Sequence, residues 1–245
     1  MEQSTLTFQK GLKDGMPICL GYLSVSFAFG ILATQGGLPV WVALLISMTN
    51  LTSAGQVAGT QLILTGGMYI EIAITTFIIN IRYMLMSLSL SQKVEAKMTN
   101  LQRWILAFGI TDEIFAVAIQ QKEEVSAKYL SGLIVTPYVG WALGTCLGAT
   151  AAGLLPMSLR DALGIAIYGM FIAIIIPPAR KARPVAVVVV LSIALSCAFK
   201  WLPLLNQISS GWVIIICAVL VSAYAAARYP IDEEAPEPEK AGGEA

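Results

Sequence analysis

The stretch GMPICLGYLSVSFAFGILATQGGLPVWVALLISMTNLTSAGQVAGTQLILTGGMYI, residues 15–70, runs 56 positions without an Asp, Glu, Lys or Arg. A bilayer core about 30 Å thick is crossed by about 20 apolar residues in a helix. Four further uncharged runs follow: Tyr129–Leu159, Ala162–Ala179, Pro184–Phe199 and Trp201–Ala227. Charged residues make up 12% of the chain and hydrophobic ones 57%, with mean hydropathy +0.76. Soluble domains carry about 25% charged residues. The chain therefore reads as all-α, a polytopic bundle of transmembrane helices.

The apolar runs predict spans at about 15–35, 39–65, 69–91, 104–121, 129–153, 159–178, 184–200 and 208–227. The second contains Ser47-Met48-Thr49-Asn50-Leu51-Thr52-Ser53-Ala54-Gly55-Gln56, too polar for lipid. Irregular backbone at membrane depth survives only beside protein or a water-filled cavity, so a broken or re-entrant segment is expected near 47–56. If 39–65 crosses once, eight spans divide the basic residues eight to five between the faces. If it doubles back, seven spans divide them seven to six. The positive-inside rule favours eight spans with the N-terminus and C-terminal tail cytoplasmic. The first run follows Lys10 and Lys13 and is too long for a cleavable signal, so it reads as the first transmembrane helix.

Residues 1–229 form the predicted membrane domain. Residues 230–245 carry six acids and one lysine among Pro and Gly, a composition unable to bury a core and expected to be disordered. Two sequence patterns bear on packing. Pro17…Gly21…Phe29-Gly30…Pro39 returns loosely as Pro137…Gly140…Leu147-Gly148…Pro156, each opening a four-segment half, as in transporters built from internal repeats. The ladder Gly140, Gly144, Gly148 lets another helix approach closely, with internal packing ahead of a partner subunit.

Function classes fall away on composition. There is no histidine, which removes histidine relays, HExxH zinc chemistry and a Ser-His-Asp triad. Cys19, Cys146, Cys197 and Cys217 lie singly in apolar runs and read as small core residues. No phosphate loop of the Gly-x-x-x-x-Gly-Lys-Ser/Thr type occurs. No enzyme activity, cofactor, metal site or nucleic-acid partner is expected.

Three charges remain in the middle of oily segments: Arg82, Asp112 and Glu113. The other charges lie near the ends of apolar runs or in the tail. A charge at the bilayer centre costs about 2.5–3.5 kcal/mol on insertion scales. Spans three and four are consecutive and antiparallel, which brings Arg82 to the depth of the two acids. A structural ion pair is the plain alternative. On span three, Thr76, Asn80, Tyr83, Ser87 and Ser91 share one stripe, and Thr75, Arg82 and Ser89 a second. A continuous span four puts Glu113 with Gly109, Ala116 and Gln120, and Asp112 with Phe108, Phe115 and Ile119. The alternative is a helix restart after Gly109-Ile110, with Thr111 as N-cap and both acids in the first turn.

Span two adds a complement. A helix restarting near Ser53-Ala54-Gly55 turns its free N–H groups toward an anionic ligand, with Gln56 as a further donor. Candidate substrate-binding residues are Ser53, Ala54, Gly55, Gln56, Asn80, Arg82, Tyr83 and Thr111. Asp112 and Glu113 are the candidate ammonium-holding or proton-coupling groups. Phe27, Phe29, Ile110 and Phe115 are expected to form an apolar wall. The set suits a zwitterion with an aliphatic side chain.

These residues carry a family resemblance. Phe27-Ala-Phe-Gly30-Ile-Leu-Ala-Thr34, Ser53-Ala-Gly-Gln56, Asn80-Ile-Arg82-Tyr83 with Ser87-Leu-Ser-Leu90, and Ala107-Phe-Gly-Ile-Thr111-Asp112-Glu113-Ile-Phe115-Ala116 resemble the AzlC family, the large subunits of branched-chain amino acid exporters. A weaker match runs from Ala162-Leu-Gly164 to Met170-Phe171. Relatives often have Gly-Ala-x-Gln-Phe where this chain has Ala54-Gly55-Gln56-Val57, which bears on side-chain selectivity. The resemblance implies export of hydrophobic neutral amino acids across the cytoplasmic membrane of a bacterium, together with a small membrane subunit of the AzlD type. Proton coupling is the expected drive. The competing class is a non-transporting scaffold or assembly subunit, in which the three charges only hold helices together.

Overall fold

The computed structural model describes residues 6–203 and 205–230; most of the predicted acidic tail lies outside them. Among the described residues the chain is helical, with one isolated bridge between Val94 and Val125. Ten helices follow in order: α1 Phe8–Gln35, α2 Val40–Thr49, α3 Ser53–Leu64, α4 Tyr69–Ser91, α5 Asn100–Ala107, α6 Asp112–Ile119, α7 Ala127–Ala151, α8 Met157–Lys181, α9 Arg183–Trp201 and α10 Ser210–Arg228. Five of them, α1, α4, α7, α9 and α10, are long and apolar enough to cross a membrane.

The spine of the fold is the pairing of α1 with α7, and glycine makes it. Gly11 lies on the backbone of Tyr129 and Leu133, and Gly15 on Leu133 and Pro137. The sequence ladder answers from the other side: Gly140 lies on Cys19, Gly144 on Leu23 and Ser26, and Gly148 on Phe27. A Cβ at Gly144 or Gly148 would overlap a backbone carbonyl of α1. Residue numbers rise together along both partners, so α1 and α7 run parallel. Each therefore starts at the same end of the bundle, here called the N-terminal end.

Two predicted spans are not single helices. Segment 39–65 breaks at Asn50-Leu51-Thr52, where Thr52 caps α3 by accepting from the Gly55 N–H at 3.4 Å. Segment 104–121 breaks between Ala107 and Asp112, where Thr111 caps α6 by accepting from the Ile114 N–H at 3.5 Å. In both, a Thr in extended conformation ends one helix axis and starts another, because its hydroxyl satisfies a free N–H of the new first turn.

Contacts show that both segments double back. Leu64, at the end of α3, packs on Gly36, just before α2. Ser47 of α2 meets Thr145 of α7 at 2.6 Å, while Gly55 and Gly59 of α3 face Asn80 and Thr76 of α4. The α2–α3 hairpin thus enters from the end opposite the N-terminus and returns to it. For α5–α6, Arg103 donates to the Ser91 carbonyl at 3.4 Å, and Lys93 donates to the Ile119 carbonyl at 2.5 Å. That hairpin starts and finishes at the N-terminal end. Its tip reaches inward to place Gly109 on Ile134 of α7. The two turns meet at mid-depth.

Candidate functional site

Where the tips meet lies a cavity of about 880 Å³. Lining it are Thr52, Ser53 and Ala54 from the α3 start, Thr111, Asp112 and Glu113 from the α6 start, Arg82 and Tyr83 from α4, and Tyr22 from α1. Its apolar lining includes Pro17, Ile18, Val25, Leu51, Ile79, Trp141, Phe171 and Ile175. The predicted wall is elsewhere. Phe29 is fully buried in a cluster with Ala28, Ala33, Ala43 and Ala149. Ile110 belongs to the core of Leu106, Ile114 and Leu133, with Phe115 packed against it. Phe27 presents its backbone to Gly148. The break at 108–111 is the cause for Ile110 and Phe115, since it resets the helical phase on which their placement rested.

Both acids sit in the first turn of α6, the restart that the sequence left open, and they diverge around the cavity. Asp112 Oδ2 lies 2.8 Å from Arg82 Nη2. Glu113 Oε2 accepts from the Tyr22 hydroxyl, which also lies 2.6 Å from Thr111 Oγ1. Arg82 is further placed by Tyr83: its Cζ lies 4.9 Å from the ring centroid, and Nη2 donates to the Tyr83 hydroxyl at 3.2 Å. Tyr83 in turn donates to Thr52 Oγ1 at 3.3 Å. Hydrogen bonds and ion pairs thus tie the two hairpin tips together across α4.

The Arg82–Asp112 pair is 44% and 37% exposed. That exposure is toward the cavity, whose lining includes both residues. The α3 start differs from the α6 start in having no acid in its first turn, so its free N–H groups have no carboxylate of their own. Trp141 adds a donor: it is 3% exposed, lines the cavity, and its indole N–H has no hydrogen-bond partner.

Of the predicted substrate residues, Ser53, Ala54, Arg82, Tyr83 and Thr111 line the cavity; Gly55, Gln56 and Asn80 do not. Gly55 is the close contact between α3 and Asn80. Asn80 donates to Asn50 at 3.5 Å, and Gln56 is 1% exposed behind the tip. Tyr22 and Trp141 join the lining without belonging to the sequence-predicted set. One sequence signal pointed to Tyr22: it lies in register with Gly11, Gly15, Ser26 and Gly30 on the α1 face that meets α7.

The profile of the AzlC protein family matches residues 17–155. The chain belongs to the AzlC family. The match includes every charged residue of the cavity and both hairpins; Phe171 and Ile175 lie beyond it. The chain is 27% identical to the inner membrane protein YgaZ of Escherichia coli, over 78% of this chain and 80% of that one. It is 33% identical to an uncharacterized membrane protein of Archaeoglobus fulgidus, covering 69% and 75%. A Helicobacter pylori membrane protein is 30% identical over 58% of this chain and 64% of its own. No solved structure matches the chain significantly. As an AzlC protein with several apolar helices, it is a membrane protein.

Proposed function

We propose that this chain is the large subunit of a two-component, proton-coupled exporter of branched-chain and other hydrophobic neutral amino acids. The observation that carries the reading is the mid-depth cavity with opposed charges. Its geometry accepts a zwitterion. The α3 first turn and Arg82 receive the carboxylate, Glu113 and Asp112 receive the ammonium, and the wall from Ile18 to Ile175 receives an aliphatic side chain. Membership of a family associated with branched-chain amino acid export supports the substrate class.

The Escherichia coli relative, an inner membrane protein, supports a bacterial cytoplasmic membrane, and the charge distribution supports both termini inside. In this reading α1, α4, α7, α8, α9 and α10 cross, and the two hairpins enter from opposite faces. Lys10, Lys13, Lys93, Lys97, Arg103, Lys122, Lys128, Arg180, Lys181, Arg183 and Arg228 then gather at the N-terminal end, leaving Arg160 and Lys200 at the other. That asymmetry obeys the positive-inside rule far better than seven or eight through-spans. The parallel α1 and α7 carry Pro17 and Pro137 in matching places, but in this topology the first half holds two hairpins where the second holds through-helices, so the likeness of the halves is confined to their first helices. The small AzlD-type subunit is the expected partner.

The test is counterflow of labelled leucine, valine and methionine in proteoliposomes, with and without the small subunit and an imposed pH gradient. Saturable exchange that accumulates against a gradient when protons flow the other way supports the proposal. A chain that inserts normally yet exchanges none of them in either composition favours the scaffold reading.

A further inference from the structure

A second acid is buried far from the cavity charges, although its position near the start of α4 marked it as a helix-end charge. Glu71 is 2% exposed. Its Oε1 accepts from the Ser209 hydroxyl and, at 3.1 Å, from the Gly211 N–H at the start of α10. Gly211 is packed so closely that a Cβ there would collide with the carboxylate, and Gly67 lies beside the other oxygen. Among the described residues, neither ion pair involves Glu71. Among the segments around it, α3, residues 65–68 and residues 201–209 have no charged side chain, and α10 has only Arg228 at its far end; Lys200 closes α9 at the same end of the bundle as Glu71. On α4 the next charge is Arg82, eleven residues on and about 16 Å along the axis.

Between the depth of Glu71 and that of the cavity, α3 and α4 carry buried polar groups without partners. Thr75 is one turn inward from Glu71 and fully buried; Thr60 of α3 is fully buried too. Gln56 lies one turn further in. The hydroxyls of Thr75 and Thr60, both amide ends of Gln56 and the Asn80 carbonyl oxygen all lack a hydrogen-bond partner. Asn80 then reaches Asn50 at the hairpin tip. Unsatisfied buried polar groups are rare and costly, and these follow one another in depth rather than scattering through the bundle.

Building on the transport reading, we propose that Glu71 is the outer proton-loading carboxylate of the exporter. Thr75, Thr60, Gln56 and Asn80, bridged by water, form the lane from it to the cavity. A proton from the outer solution binds a Glu71 carboxylate oxygen, passes along the lane to a carboxylate at the α6 start, and is released at the cytoplasmic face. The amino acid leaves outward unchanged. Glu71 touches no substrate in this scheme.

The test uses the transport-competent complex in proteoliposomes carrying a trapped pH indicator. Glu71→Gln keeps an oxygen that accepts from Ser209 and Gly211. Its expected phenotype is wild-type leucine counterflow together with loss of gradient-driven accumulation and of leucine-coupled proton movement. Thr75→Val, which removes one hydroxyl at constant shape, slows coupled proton movement and spares counterflow; it carries the test alone if Glu71→Gln fails to insert. Unchanged coupling in both variants, or loss of counterflow along with coupling, overturns the proposal. Infrared difference spectra between acid and alkaline buffer give a readout without transport. A protonated-carboxyl band present in the wild type and in Glu113→Gln, but missing in Glu71→Gln, is expected; its persistence in Glu71→Gln refutes the assignment. Absence of counterflow in the wild type, with that band pattern intact, fails the exporter reading and not the Glu71 site.

Discussion

Tyr22, from the middle of the first helix, donates its hydroxyl proton to the carboxylate of Glu113, 91 positions later. The bond joins the α1–α7 spine to the tip of the α5–α6 hairpin. Glu113 is therefore oriented by a neutral donor, whereas Asp112, its neighbour, is neutralised by Arg82. Two adjacent acids thus have different partners, a guanidinium for Asp112 and a phenol hydroxyl for Glu113.

Replacing Tyr22 with Phe removes that bond and keeps the ring, whose edge contact with Trp141 has centroids 5.0 Å apart. A hydrogen bond to a charged group contributes about 1.5–3 kcal/mol. The expected outcome is normal insertion with half-saturation for leucine raised about tenfold or more. Unchanged kinetics would show that Glu113 needs no orienting donor.

Glu113→Gln and Arg82→Ala are each expected to abolish efflux while the protein inserts and purifies normally. Efflux assays beside membrane-fraction immunoblots decide the matter, and wild-type efflux from both variants would remove the cavity from the mechanism.

Gly144→Leu and Gly148→Val push side chains into the backbone of α1. Overpacking a filled interface costs about 1–3 kcal/mol, occasionally more, so lower thermal midpoints in detergent are expected. Gly153→Ala, with nothing within 4 Å of an added Cβ, is the neutral comparison. Equal midpoints for all three would contradict the tight α1–α7 seam.

The hairpin reading fixes labelling patterns. In a background without the native cysteines, Gly37→Cys and Gly66→Cys are expected to react with an impermeant maleimide from the outer face. Lys97→Cys and Lys122→Cys should react only from the cytoplasmic one. Opposite accessibility at positions 37 and 66 would mean that α2–α3 traverses the bilayer.

What the sequence disclosed was set by cost. Charges in oil are expensive, so Arg82, Asp112 and Glu113 stood out, and all three line the cavity. Thr111 was legible as a cap because Gly109 and two acids bracket it. Direction was harder. Hydropathy measures how long a segment is, and a segment that turns round at mid-depth is as long as one that goes through, so 104–121 read as a crossing. Trp141 was silent for another reason: an aromatic in an apolar run looks like core until the parallel register of α1 and α7 fixes which side it faces. Gln56 misled in the opposite sense, since a polar residue one turn beyond the tip belongs to the buried α3–α4 face and not to the cavity.

Because each hairpin reaches only half the depth of the bundle, the two helix starts that face the central chamber belong to two separate short, capped helix pairs rather than to one domain. The Thr52–Tyr83–Arg82–Asp112 chain joins the two pairs, so loosening one slackens the strap that holds the other.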